Sequence, residues 1–205
     1  MKALLGVLLL ATCVCEGVEP KTALLPPCCR VALDLGNPTD KSLYLLDSTW
    51  TSDVGRKIKL GALRGRPQIV AMFFSHCEYA CPILISELKA IEQALPAEVL
   101  GKVDFLLVSI DSRRDTSAEL AAFREKRQLG RKRWTLLRAE SDDVRELAAL
   151  LGVNYAEDAR GQFAHTNLVT LLNADGEIAF QQTGLKQDPA LLIAAIGKAA
   201  RGAQR

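Results

Sequence analysis

Apolar runs and amphipathic segments alternate along most of the chain. The continuous apolar runs are bounded by polar or turn-forming residues, as expected for strands covered on both faces; they comprise residues 69–74, 103–110 and 168–172. Apolar residues repeat at helical spacing in segments that lie between and after these runs: Leu84, Leu88, Ile91 and Leu95; Val144, Leu147, Ala148 and Leu151; and Leu191, Leu192, Ala195, Ile196 and Ala199. The pattern therefore predicts buried strands that alternate with surface helices.

Local signals support the ends of these elements. Residues 116–119 offer a capping box and residues 141–143 an acidic first turn, while Gly130 and Gly152 are expected to end helices. Residues 174–177 predict a tight turn between two strands.

An early hairpin is expected from residues 42–46 and 57–60, with its turn at residues 53–55. The resulting order is β, α, β, α, β, α, β, β, α. It predicts an α/β fold of the thioredoxin-like sandwich type, with a central mixed sheet flanked by helices and an N-terminal hairpin.

The start of the chain is typical of an export leader. Lys2 precedes a short apolar run that cannot span a bilayer, so residues 1–17 are predicted to be a signal peptide. Residues 18–40 form a proline-containing linker, and residues 41–205 form the domain. We expect an exported protein, either periplasmic or attached to the membrane on its periplasmic side. An uncleaved leader or a lipid on Cys13 remains as an alternative form of attachment.

The composition narrows the class of partner. A formal net charge of +2 gives no reason to expect nucleic acid, and 205 residues suit one domain that we expect to be monomeric. Of the six cysteines, Cys13 and Cys15 would leave with the leader. Cys28 and Cys29 are neighbours in the linker, and their role stays open.

The remaining pair, Cys77 and Cys81, carries the candidate chemistry. The two residues lie between a buried strand and a helix expected to begin near Pro82, where helix amides favour thiolate over thiol. Three intervening residues open a wider pocket than the two found in thioredoxin redox centres. Two soft thiolates suit Cu(I), and one imidazole would add Cu(II). His165, just before a predicted strand that enters near the cysteines, is a better third donor than His76, whose side chain should leave the backbone in another direction.

Residues 42–199 resemble the Sco/SenC family of copper-binding proteins, which assist cytochrome c oxidase assembly. The matching motifs are residues 75–77 with Cys81-Pro82, residues 108–116, His165 before a strand, and residues 175–177. The resemblance implies copper as Cu(I) or Cu(II), held by Cys77, Cys81 and His165. It also implies delivery of copper to an oxidase copper-site subunit, or reduction of that site's thiols; another copper or thiol protein remains open as the partner.

The chain departs from the family pattern beside its ligands. Glu78 and Tyr79 replace the usual Pro-Asp, and Ala164 replaces an Asp whose carboxylate would orient the imidazole. This loss would loosen copper or shift the balance toward thiol chemistry, and Glu78 is a candidate for partial compensation.

Several readings of the same residues stay open. Cys77 and Cys81 could form a structural disulfide, and His165 could be a hydrogen-bonded loop residue. As an enzyme, the chain would be a thiol-disulfide oxidoreductase in which Cys77 attacks and Cys81 resolves; a third hypothesis is a copper or redox sensor. The acidic and basic residues of 111–115 are equally compatible with a capped loop or a functional surface, and the charge run 124–133 is expected to be a solvated helix end.

Overall fold

The computed structural model describes residues 38–203. The strands are β1 Trp50–Ser52, β2 Lys57–Ile58, β3 Gln68–Phe73, β4 Asp104–Ser109, β5 Trp134–Arg138, β6 Tyr155–Glu157, β7 Phe163–His165, β8 Leu168–Leu172 and β9 Ile178–Thr183. The helices are α1 Ala80–Ala94, α2 Ala97–Leu100, α3 Ser117–Arg127, α4 Ser141–Leu151 and α5 Ala190–Gly202, with short 3-10 helices at Leu43–Leu45 and Leu60–Leu63. The predicted leader and most of the predicted linker, with Cys13, Cys15, Cys28 and Cys29, lie outside the described residues.

A seven-stranded mixed sheet with the order β2-β1-β5-β4-β3-β8-β9 forms the centre of the domain. β3, β4 and β5 are parallel, whereas β8 and β9 continue the sheet antiparallel beyond β3. Every residue of β3 and β8 is buried, which explains why both sequences are apolar except for Gln68 and Thr170. The predicted thioredoxin-like α/β sandwich is confirmed.

The helix ends follow the local signals with one exception. The Thr116 hydroxyl accepts a hydrogen bond from the Glu119 amide at 3.2 Å, and Gly152 ends α4 with a φ of +77°. The prediction that Gly130 ends α3 is wrong: Gln128 adopts the left-handed conformation, with a φ of +53°, two residues earlier.

The N-terminal hairpin exists, but its first strand was misplaced. Residues 43–45 form a 3-10 helix because the Ser42 hydroxyl caps the Tyr44 amide at 3.2 Å and the Leu43 and Tyr44 side chains are buried. β1 begins only at Trp50, pairs with β2, and joins the main sheet along β5.

A second sheet was not foreseen. β6 and β7 pair only with each other, in a two-stranded antiparallel sheet that precedes β8. The sequence had predicted a loop there, since each of these strands is only three residues long and at most half-buried. This hairpin carries His165.

Among residues 38–203, no helix has the length and apolar character needed to cross a bilayer.

Candidate metal centre

The connection between β3 and α1 brings the two cysteines together. β3 ends at Phe73, the Cys77 amide donates to the Phe74 carbonyl at 3.2 Å, and α1 begins at Ala80. Cys81 therefore lies in the first turn of α1, fully buried, while Cys77 lies just before the helix and is half-buried. The Cys81 amide donates to the Cys77 Sγ at 3.3 Å. This confirms the expected position of both cysteines at a helix N-terminus.

The pKa values of the two cysteines are shifted in opposite directions. A hydrogen bond from the Cys81 thiol lowers the pKa of Cys77 to about 5, supported by the backbone amides of Cys81, Tyr79 and Ala80 and opposed by partial burial. The same hydrogen bond, together with burial, raises the pKa of Cys81. At neutral pH the folded pair is thus a Cys77 thiolate beside a Cys81 thiol, and both cysteines are free.

His165 faces this pair from the end of β7. Its Nε2 lies 4.0 Å from the Cys81 Sγ, and its Nδ1 lies 3.1 Å from the Thr166 carbonyl oxygen. A carbonyl can only accept, so Nδ1 carries the proton and the Nε2 lone pair is left toward the sulfur. The Thr166 carbonyl therefore orients the imidazole. Ala164 stands where the family pattern has an Asp, so no carboxylate is available there for this role.

The Cys81 sulfur and the His165 nitrogen are close enough to bind the same ion. Zinc, the neighbour of copper, makes bonds of about 2.3 Å to thiolate and about 2.0 Å to imidazole, so two ligand atoms of one ion lie at most about 4.3 Å apart. The separation of 4.0 Å between Cys81 Sγ and His165 Nε2 lies within that limit.

His76 belongs to a different network. Its Nδ1 lies 2.9 Å from the Ser75 hydroxyl and 3.7 Å from a carboxylate oxygen of Asp115, and its side chain is about half-exposed. Asp115 is fully buried and accepts from the Ser75 amide at 3.0 Å and from the Ser109 hydroxyl at 2.5 Å. Donor atoms of His76, Asp111 and Asp115 lie within 4.8 Å of one another, but both carboxylates already accept protein hydrogen bonds. The hydrogen bonds of this cluster stabilise the loop after β4, which agrees with the interpretation of residues 111–115 as a capped loop.

Aromatic side chains surround the imidazole, and these contacts were not predicted from the sequence. The ring centroid of Phe74 lies 5.3 Å from that of Phe163 and 6.1 Å from that of His165, with both contacts edge-on. Phe74 belongs to an apolar run and Phe163 to a mixed segment, so nothing in the local pattern marks either ring as a neighbour of the site. Tyr79, between the cysteines, has 81% of its surface exposed.

The fold and this site define a class: a thioredoxin-like protein with a dithiol at a helix N-terminus and an imidazole facing it. The family model described as SCO1/SenC matches residues 39–201. The chain belongs to the SCO1/SenC family.

Individual relatives are more distant. A protein of Stutzerimonas stutzeri named "Putative copper-binding protein" is 26% identical over 120 residues, and the match covers 57% of this chain and 57% of that relative's length. The structure of Arabidopsis thaliana ScoI with copper bound aligns with a TM-score of 0.65 at 17% identity, covering 82% of this chain and 99% of that chain. BsSco, described as a member of the Sco family of cytochrome c oxidase assembly proteins with a disulfide switch, aligns with a TM-score of 0.67 at 21% identity, covering 80% and 96%. At these low sequence identities, the similarity to the solved structures establishes the fold alone.

Proposed function

We propose that this chain is a copper-binding chaperone that carries one copper ion on Cys77, Cys81 and His165 and delivers it to the copper site of a cytochrome oxidase. The observation that carries the proposal is the 4.0 Å separation of Cys81 Sγ and His165 Nε2, which gives the dithiol a third donor. Family membership supports it, as do copper in the Arabidopsis relative and oxidase assembly for BsSco.

Each donor contributes differently to holding this cargo. Thiolate sulfurs are soft ligands that select Cu(I), and the imidazole makes the set able to hold Cu(II) as well. Cys77 is already a thiolate at neutral pH, so it can bind without first losing a proton, whereas Cys81 must release its proton when copper arrives. Cys77 is also the more exposed sulfur, which makes it the side on which an acceptor's ligand would first share the ion.

The decisive change is His165→Ala. We expect Cu(II) affinity to fall by more than about a hundredfold, because loss of a ligand's supporting contact alone costs about tenfold to a hundredfold. Cys77 alkylation should keep its rate because the substitution does not alter Cys77. Anaerobic titration of the reduced domain with Cu(I), and a parallel titration with Cu(II), measure the effect. His76→Ala is the matched control, since the chain has two histidines and His76 bonds to Ser75 instead. Copper binding by His165→Ala equal to that of the unaltered protein would refute the three-donor site.

A second candidate function is thiol-disulfide exchange. Its support is the difference between the sulfurs: the half-exposed Cys77 has a pKa of about 5 and can attack a partner disulfide, and the buried Cys81 can resolve the mixed disulfide. Each such exchange would reduce one disulfide of an oxidase copper site to two thiols and leave Cys77 and Cys81 joined as a disulfide. It needs no third donor, so His165→Ala would leave its rate unchanged while copper binding fell.

We further propose that the domain acts outside the cytoplasm, held near the membrane by its leader or a lipid, because Lys2 precedes a short apolar run as in export leaders.

A further inference from the structure

The imidazole of His165 is carried on a hairpin that the main sheet does not hold. β6 and β7 pair only with each other, and His165 is the last residue of β7, opposite Tyr155. The chain re-enters the seven-stranded sheet only at β8, and the base of the hairpin is closed by the Thr166 amide donating to the Asn154 carbonyl at 2.9 Å. Contacts beyond this base can therefore affect the orientation of the hairpin relative to the cysteines.

Arg114 supplies such contacts from the loop that follows β4. Its Nε donates to an Asp111 carboxylate oxygen and its Nη2 donates to the Gly161 carbonyl in the turn of the hairpin. Its guanidinium carbon lies 5.8 Å from the centroid of the Phe163 ring, a cation–π contact. Asp111 is 1% exposed and also accepts from the Arg114 amide at 3.0 Å, so a buried carboxylate fixes the position of the arginine.

The contact continues from the hairpin to the cysteine segment. Phe163, under the guanidinium, packs edge-on against Phe74 at 5.3 Å between centroids, and Phe74 lies 6.1 Å from the His165 ring. Phe74 is buried and its carbonyl accepts from the Cys77 amide at 3.2 Å. One arginine thus connects the loop after β4, the hairpin and the segment that leads to the sulfurs.

We propose that Arg114 is a positioning residue that holds His165 opposite Cys81 by fastening the β6–β7 hairpin to the loop after β4. The inference rests on the proposed three-donor site. Arg113 makes a second tie, to Glu157, but its side chain is 74% exposed and that ion pair is screened by solvent. Arg114 is expected to carry most of the effect.

The first test compares Arg114→Ala with Arg160→Ala. Arg160 is an arginine of the same hairpin turn whose side chain bonds to Asp158, two residues away, so its loss removes the same charge without releasing the hairpin. We expect Arg114→Ala to weaken Cu(II) binding about tenfold and to reduce the imidazole nitrogen coupling in pulsed EPR, as for loss of a ligand's supporting contact. Arg160→Ala should keep both, and Cys77 alkylation should be unchanged in both variants.

Arg114→Lys guards against a folding defect. A lysine keeps the charge near Asp111, but one ammonium lacks the planar fork that reaches both Asp111 and Gly161. We expect a folded protein, by the fluorescence of Trp50 and Trp134, with the same reduction of nitrogen coupling as Arg114→Ala.

The second test combines Arg114→Ala with His165→Ala in a double-mutant cycle. If Arg114 acts through the imidazole, its loss should change Cu(II) affinity less than about twofold once His165 is gone. An equal loss in both backgrounds, or an intact nitrogen coupling in Arg114→Ala, would overturn the positioning role. A His165→Ala protein that binds copper normally would instead refute the proposed function, so the two failures are distinguishable.

Discussion

At the scale of single residues, the site depends on an unequal pair of sulfurs. Cys77 and Cys81 have the same chemistry and lie four positions apart, yet one precedes the helix and the other is buried inside its first turn. A shared hydrogen bond then stabilises the thiolate of Cys77 and the thiol of Cys81. The pair is therefore one coupled unit in which each sulfur sets the proton affinity of the other.

The pH dependence of alkylation tests this asymmetry. In the copper-free folded protein, iodoacetamide should label Cys77 with a rate that rises through a midpoint near pH 5 and is nearly level at neutral pH, because the thiolate is the nucleophile. In the denatured chain the midpoint should return to about 8.5. Cys81→Ala should raise the folded midpoint, since it removes the main cause of the low pKa of Cys77. Peptide mass spectrometry measures the rates, and a folded midpoint close to the denatured one would contradict the asymmetry.

At the scale of elements, the turn between β8 and β9 helps to position the N-terminal 3-10 helix. The turn before β9 is organised by Asn173, whose side-chain oxygen accepts from the Asp175 and Glu177 amides at 3.0 Å each. Gly176 follows with a φ of +86°, and a Cβ there would lie 2.5 Å from the Tyr44 ring. This turn therefore also holds the N-terminal 3-10 helix against the domain.

Replacement of Gly176 tests that contact, with Gly55 as its matched control. Gly55 also has a positive φ, +76°, but a Cβ there would meet nothing within 4 Å. Gly55→Ala should cost about 1–2 kcal/mol for the left-handed backbone alone. Gly176→Ala should cost about 1–3 kcal/mol more because Tyr44 must move out of its packed position. Urea unfolding measures both, and equal losses would show that the Tyr44 contact is unimportant.

At the scale of the whole molecule, a buried ion pair joins segments far apart in sequence. Arg124 of α3 donates to Asp53, in the turn of the N-terminal hairpin, at 2.6 and 3.0 Å, and to the Trp134 carbonyl of β5 at 2.8 Å. Both charged side chains are less than 5% exposed. The expectation of a solvated charge run at residues 124–133 is therefore wrong for its first member, because α3 turns Arg124 toward the core.

Asp53→Ala should be strongly destabilising, by about 3–5 kcal/mol, because it leaves the Arg124 guanidinium buried without its counter-charge. The exposed pair of Asp47 and Lys59 is the control, and Asp47→Ala should leave the free energy of unfolding nearly unchanged because solvent screens this pair. Urea unfolding followed by tryptophan fluorescence measures both, since Trp50 and Trp134 are buried. A small loss for Asp53→Ala would mean that water reaches Arg124 once the carboxylate is gone.

The sequence by itself determined what depends on near neighbours. The runs that became β3, β4 and β8 are apolar because both faces are covered, the caps at Thr116 and Gly152 are local hydrogen-bond and backbone effects, and the cysteines had to meet at the start of α1. The family motifs also pointed to His165 as the third donor.

Tertiary structure alone decided the rest. The approach of His165 to Cys81 joins residues 84 positions apart, through a hairpin too short and too exposed to show a strand pattern. The inward turn of Arg124, the bridge made by Arg114 and the orienting carbonyl of Thr166 likewise depend on partners that no local periodicity encodes. Spacing reports which side chains share a face of one element, whereas these contacts arise only when separate elements pack together.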